Sequence, residues 1–146
     1  MCIRDRSDPL LVNLRAVGVF LGALALLNLF VPRHLGWRDD LERVSLVNRQ
    51  IFEVHALFLI LILAMFSALL LTSSDALLEP SRLSRAMLGG LTIFWGARML
   101  AQWFYYSPAT WRGDRFRTAM HYGFSAAWIY VTAVFALAFE RVAALR

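Results

Sequence analysis

Four long apolar stretches, residues 10–31, 47–71, 86–106 and 116–139, fix what this chain is able to fold into. Each is close to the ~20 residues that an α-helix needs to cross about 30 Å of hydrocarbon at 1.5 Å per residue. Within the second stretch, from Ala56 to Leu71, Ser67 is the only polar residue. A water-soluble bundle needs a charged outer face, and this segment has none to offer. The chain is 60% hydrophobic, against roughly 45–50% for soluble domains, and the excess lies in these four blocks. The reading is an all-α, antiparallel up-down four-helix transmembrane bundle. Its partner is the lipid bilayer, and no soluble domain is left over.

Local punctuation agrees with the hydropathy. Pro9, Pro32, Pro80 and Pro108 all sit at block boundaries, where a residue without an N–H donor does least harm. Ser73, Ser74 and Asp75 mark a turn after the second block. Gly113 precedes the fourth, with Asp114 as its expected N-cap. Residues 1–6, MCIRDR, look like the translation of a sequencing-library transposon end and are set aside as a scar. The native N-terminus is therefore expected to be missing, and residues 7–146 form one domain. Cys2 falls in the scar, so neither a disulfide nor a cysteine metal cluster is expected.

The formal charge is +5, and all 15 basic residues are arginine. Without lysine, a retinal or pyridoxal Schiff base is excluded. The arginines are scattered through short loops rather than arranged as a stripe, which points to anionic lipid head groups and not to nucleic acid. Short loops make consecutive helices antiparallel neighbours. One face then carries loops 32–46 and 107–115, with Arg33, Arg38, Arg43, Arg49, Arg112, Arg115 and Arg117. The opposite face carries Arg15, Arg82, Arg85, Arg141 and Arg146. The excess predicts the first face to be cytoplasmic.

Nearly every polar residue inside the blocks falls toward that first face. At about 100° per residue, Asn48, Phe52 and His55 share one side of the second helix, and Arg49 and Glu53 the adjacent one. The third helix carries Trp95, Arg98, Gln102 and Tyr105 on one stripe. The fourth carries Thr118, His121, Ser125, Trp128 and Thr132. Arg98 is about 12 Å inside its helix and Glu53 about 9 Å inside its own. A charge at such depth needs an interior partner, so a Glu53–Arg98 ion pair is expected, with Gln102 as a further hydrogen-bond partner. His55 and His121 differ in depth by about 4–5 Å, and His34 falls in a loop. Trp103 and Tyr106 read as interfacial anchors. Gly18 and Gly22 form one GxxxG, which suits either packing within the chain or a homo-oligomer or larger membrane complex.

The segments LVNRQIFEVH (46–55), FWGARMLAQWFYY (94–106) and HYGF (121–124) resemble a group of small bacterial four-helix membrane proteins to which no activity is attached. The resemblance covers most of the chain after the scar. It implies the fold and a membrane location, with a bacterial inner membrane as the expected host, but no reaction. A second resemblance is to the MAPEG family, four-helix membrane enzymes of glutathione and eicosanoid metabolism, through the polar start of the second helix at Asn48-Arg49-Gln50-Ile51-Phe52-Glu53. That family's Asn-x-x-Glu spacing is not matched, because Gln50 stands where its asparagine should be. Glutathione binding therefore does not carry over.

Three kinds of function compete. The first is a non-enzymatic accessory, lipid-binding or quinone-binding protein, because no Ser-His-Asp arrangement, HExxH or phosphate loop is present. The second is a redox protein, with haem b ligated by His55 and His121 or a quinone lined by Phe52, Trp95 and Trp128. The third is an enzyme on a lipophilic substrate, with Glu53 or His121 as acid or base and Arg98 holding an anionic group. A metal held by Glu53, His55 and His121 is disfavoured, since Glu53 and His55 point about 160° apart on a straight helix.

Overall fold

A short polar residue before each apolar block decides where its helix begins. The computed structural model describes residues 8–34, 41–107 and 113–145, with side chains described for 8–30, 41–107 and 113–145. Four long helices run through the described residues: α1, Pro9–His34; α2, Leu46–Leu77; α3, Arg82–Phe104; and α4, Arg115–Ala144. No strand occurs among the described residues. Asp8 starts α1, its carboxylate accepting from the Leu10 N–H at 3.0 Å and its carbonyl from Val12 at 3.1 Å. Pro9 follows, at a position where an N–H would be unused. Ser81 caps α3 by accepting from the Ser84 N–H at 2.9 Å. Asp114 caps α4 as expected, accepting from Phe116 and Arg117 at 2.8 and 3.2 Å. Gly113 precedes it at φ +98°, a left-handed turn that only glycine adopts without strain.

The helices overrun the apolar blocks. α1 continues through Pro32, so His34 is its last residue and not part of a loop. One proline removes a single donor and does not by itself unwind the residues that follow. The Ser73–Asp75 signal marks a kink in α2 rather than its end, with Ser73 at φ −133°, ψ 21°. Thr72 donates its hydroxyl to the Ala68 carbonyl at 2.7 Å, and Ser74 donates to Leu70. Such back-bonding to residue i−4 bends a helix without stopping it. α3 starts at its cap and α4 runs on through Glu140 and Arg141, because capping and backbone bonding, not hydropathy, decide where a helix ends. The loops expected at 32–46 and 107–115 lie partly outside the described residues, as does the scar at 1–6.

The chain divides into two compact units, Leu14–Ser74 and Met1–Asn13 with Asp75–Arg146. In the first, Leu14, Val17, Leu21 and Ala25 of α1 are buried at helical spacing, as are Leu63, Ser67 and Leu70 of α2. The Ser67 hydroxyl donates to the Gly18 carbonyl at 2.7 Å. A Cβ on Gly18 would lie 3.0 Å from the Leu70 Cβ, and one on Gly22 would lie 2.7 Å from the Ser67 Oγ. The GxxxG face is thus taken up by α2 of the same chain. These contacts run in opposite sequence directions, so the pair is antiparallel.

In the second unit, a Cβ on Gly89 would meet the Phe139 ring at 3.2 Å and one on Gly96 would meet Thr132 at 3.8 Å. Trp95 stacks on Trp128, and Gln102 reaches His121. The partners descend along α4 as they ascend along α3, so this pair is antiparallel too. The first turn of α1 belongs to the same unit. Arg141 donates to Asp8 at 2.6 Å, and the Tyr130 hydroxyl donates to Asn13 at 2.6 Å.

Three of the four helices are long and apolar enough to cross a membrane: Pro9–Phe30 within α1, α2 and α4. This fits a small membrane protein. α3, which the sequence also marks as a span, is not among these three. Its sequence carries Arg98, Gln102 and three glycines, which dilute its apolar content. Along α2, Ile51, Val54, Leu57, Phe58, Leu61 and Met65 are exposed, a surface suited to hydrocarbon and not to water.

Two consequences are measurable. Val at position 18 forces the α1–α2 backbones apart, so Gly18→Val is expected to cost about 1–3 kcal/mol. Gly90→Val, where a Cβ meets nothing within 4 Å, is expected to stay within about 0.5 kcal/mol of the parent. Reversible unfolding in detergent checks both. The second consequence concerns Asp8. Burial alone raises its pKa, but the Arg141 hydrogen bond, the Leu10 N–H and the Arg141 charge together hold it below the usual carboxylate range. A depressed folded pKa gives stability that is present above the unfolded value and lost as pH falls through the folded one. Thermal midpoints should therefore drop on acidification below about pH 4, and by a smaller amount in Arg141→Gln.

Candidate functional site

Burial on α3 selects one stripe, Ser84, Leu88, Leu91, Trp95 and Gln102, each a helical turn or two from the last. On α4 the buried stripe begins with Ser125 and Trp128 and continues through Val131 to Val142. Where the stripes meet near the C-terminal end of α3, the side chains change from aliphatic to aromatic and polar. Trp95 and Trp128 lie almost parallel, their rings 5.2 Å apart at 18°. Phe124 also stacks on Trp128, at 5.9 Å and 15°. The Trp95 side chain is 2% exposed.

Arg98 sits beside this stack. Its guanidinium carbon is 5.0 Å from the centre of the Trp128 ring and 5.9 Å from that of Tyr106. Cation–π contacts of this kind contribute about 0.5–2 kcal/mol, more where water is excluded. One Arg98 nitrogen donates to the Gln102 Oε1 at 3.2 Å. The other end of the same amide, Nε2, meets the His121 Nδ1 at 3.1 Å. Gln102 is buried, and the helices hold its amide between a guanidinium and an imidazole.

The hydrogen-bond inventory then fixes every polarity in the chain. Arginine only donates, so the Gln102 carbonyl oxygen must face it. The Gln102 amide nitrogen also only donates, so the His121 Nδ1 accepts. With Nδ1 accepting, the His121 tautomer that fits this contact has its proton on Nε2. The Ser125 hydroxyl turns back onto the His121 carbonyl at 2.8 Å.

The structure separates the remaining expected site residues into two groups. Trp95, Arg98, Gln102, His121 and Ser125 all belong to the α3–α4 unit. Asn48, Arg49, Glu53 and His55 belong to α2 in the other unit. Asn48, Glu53 and His55 are exposed there and Arg49 is partly buried. His55 donates from Nδ1 to the Ile51 carbonyl at 2.8 Å. Glu53 was the expected partner of Arg98; within its own unit Arg98 has a neutral partner and two aromatic faces instead. Ion pairs join Asp8 to Arg141 and Asp114 to Arg117.

Tyr105 departs from the expected stripe. α3 ends at Phe104, Tyr105 is its C-cap, and the side chain is 85% exposed. Tyr106, read from the sequence as an anchor, is the tyrosine that approaches Arg98. The earlier helix end also brings Arg98 to about 9 Å from the terminus, shallower than expected. Phe124 was not singled out, because it lies off the polar stripe of α4. Only the quoted segment HYGF pointed to it.

Two buried polar atoms of this unit, the Trp95 Nε1 and the Thr132 Oγ1, have no hydrogen-bond partner among the described residues. Among those residues, no group of three His, Cys, Asp or Glu side chains is placed to hold a metal ion. No protein-family model, curated protein or solved structure matches this chain.

The Gln102 bridge makes a direct prediction. In the protein, the His121 side-chain ¹⁵N shifts should report the tautomer with its proton on Nε2. In Gln102→Leu, which removes the donor to Nδ1, that preference should be lost. A ring with its proton on Nδ1 in the parent protein would show the bridge to be wrong.

Proposed function

We infer that this chain is a small membrane protein that binds a lipid-like amphiphile at the α3–α4 polar layer and performs no chemistry of its own. The observation that carries this reading is the Arg98–Gln102–His121 chain laid against the Trp95–Trp128–Phe124 stack. A polar end and a flat apolar wall lie side by side, the division that an amphiphile has within itself. The same residues lack the features of a reaction centre. His121 meets Gln102 through its Nδ1, and the Ser125 hydroxyl donates to a backbone carbonyl. A nucleophile needs an adjacent base within hydrogen-bond reach, and neither group serves the other.

The redox reading draws support from the aromatic wall, which suits a flat ring. For haem, an iron-ligating His121 would offer the Nε2 lone pair and carry its proton on Nδ1. Gln102 would then have to turn its oxygen toward His121 and present its NH₂ group to Arg98, donor against donor. That rearrangement weighs against haem and leaves a quinone as the second reading. The enzymatic reading, with Glu53 or His121 as acid or base, has the weaker support for the reasons just given.

The test is to purify the full chain in mild detergent, extract it with organic solvent and identify what it retained. One lipid-like molecule per chain is expected, with retention falling several-fold in Trp128→Ala. A retained quinone would replace the lipid reading with the redox one. An absorption band that shifts on dithionite reduction, and is absent in His121→Ala, would overturn it in favour of haem.

A further inference from the structure

Resting on the reading that the α3–α4 layer holds an amphiphile, the atoms it presents define which end of that ligand sits there. Arginine has five N–H donors and no acceptor. Arg98 uses one of them on Gln102, and its other described contacts are the faces of Trp128 and Tyr106. The remaining donors have no hydrogen-bond partner among the described residues. The Trp95 Nε1, a donor only, is buried and likewise without a partner. The Gln102 oxygen beside Arg98 already accepts from one of its donors. What is left is donor-only and carries a full positive charge.

Among the described residues of the unit, no carboxylate is paired with Arg98. Of its described carboxylates, Asp8 is held by Arg141 and Asp114 by Arg117. Glu140 lies at the far end of α4, and Asp75 and Glu79 lie before the start of α3, the end of that helix remote from Arg98. A guanidinium at membrane depth next to a neutral amide retains most of its cost, which falls when an anion meets it. The planar fork of arginine matches two oxygens of one oxyanion. A neutral quinone carbonyl brings one acceptor and no charge.

We propose that Arg98 is the head-group site of this protein and that it takes an oxyanion, the phosphate of a membrane phospholipid, with the acyl chains along the Trp128–Phe124 side. The Arg98–Gln102 bond holds the guanidinium in place, and Trp128 supports one face of it. Phosphate diester oxygens then accept from the donors that no described residue uses.

The experiment uses the full chain, delipidated in mild detergent, and four probes followed by native mass spectrometry and thermal shift. These are dioleoyl phosphatidylglycerol, dioleoylglycerol with the same tails but no phosphate, ubiquinone and inorganic phosphate. The phospholipid is expected to bind at least about tenfold more tightly than dioleoylglycerol or ubiquinone, the gain from charge-assisted hydrogen bonds. In Arg98→Gln that preference should vanish, the phospholipid falling to the dioleoylglycerol level. In Arg98→Lys, part of it should return. Equal binding of phosphatidylglycerol and dioleoylglycerol by the parent protein would overturn the head-group assignment and leave the amphiphile reading standing. Inorganic phosphate binding as tightly as the phospholipid would do the reverse. If no probe binds, both fall. A phospholipid preference that survives in Arg98→Gln overturns the assignment to this residue. If Arg98→Gln does not fold, the four-probe comparison on the parent protein still decides the head-group chemistry.

Discussion

A single buried amide, that of Gln102, organises the polar end of the α3–α4 unit. Its oxygen faces the Arg98 guanidinium and its nitrogen faces the His121 imidazole, so both helices are joined through one side chain. The arrangement is directional. Arginine only donates, which orients the amide, and the amide then selects the histidine tautomer. Reversing any member sets donor against donor at the other end. Burying a polar group in a low-dielectric interior costs several kcal/mol unless it is hydrogen-bonded, so the satisfied amide stabilises the pair and the same physics makes its loss expensive.

Around that bridge the two units use different packing solutions. The α1–α2 unit brings backbones close, with glycine at positions 18 and 22 and a serine hydroxyl on a backbone carbonyl. This is how helices associate where lipid removes the hydrophobic drive. The α3–α4 unit relies on large rings, with Trp95, Trp128 and Phe124 stacked beside a cation. The first needs small side chains at fixed positions; the second needs aromatic ones, and it is the unit that holds the polar site.

The architecture was legible from hydropathy and punctuation. Four helices appear where four apolar blocks stand, and Asp114 caps α4 where a short polar side chain followed glycine. The Arg98–Gln102 contact was readable from i, i+4 spacing, and so was the burial of Trp95 and Trp128. Other parts were hidden for identifiable reasons. Helix ends are set by capping and backbone bonding, so α2 passed through its serine-rich turn as a kink and His34 joined α1. At the C-cap of α3, Tyr105 is exposed and Tyr106 is the tyrosine near Arg98. α3 is the least apolar of the four by composition, with Arg98, Gln102 and three glycines in its sequence. Spacing along one helix also says nothing about which other helix a side chain will meet. Glu53 was matched to Arg98 on depth; within the α3–α4 unit Arg98 meets Gln102, Trp128 and Tyr106.

The account stands on Arg98 and Gln102 acting together, and a double-mutant cycle in detergent or bilayer tests this most directly. Arg98→Met, Gln102→Leu and the double variant would be unfolded reversibly and their free energies compared. The account predicts a coupling above about 0.5 kcal/mol, with the double variant less destabilised than the sum of the singles, since each single change leaves the other polar group buried without its partner. Additivity within about 0.3 kcal/mol would mean that the two side chains do not depend on one another, and the site as described would not exist.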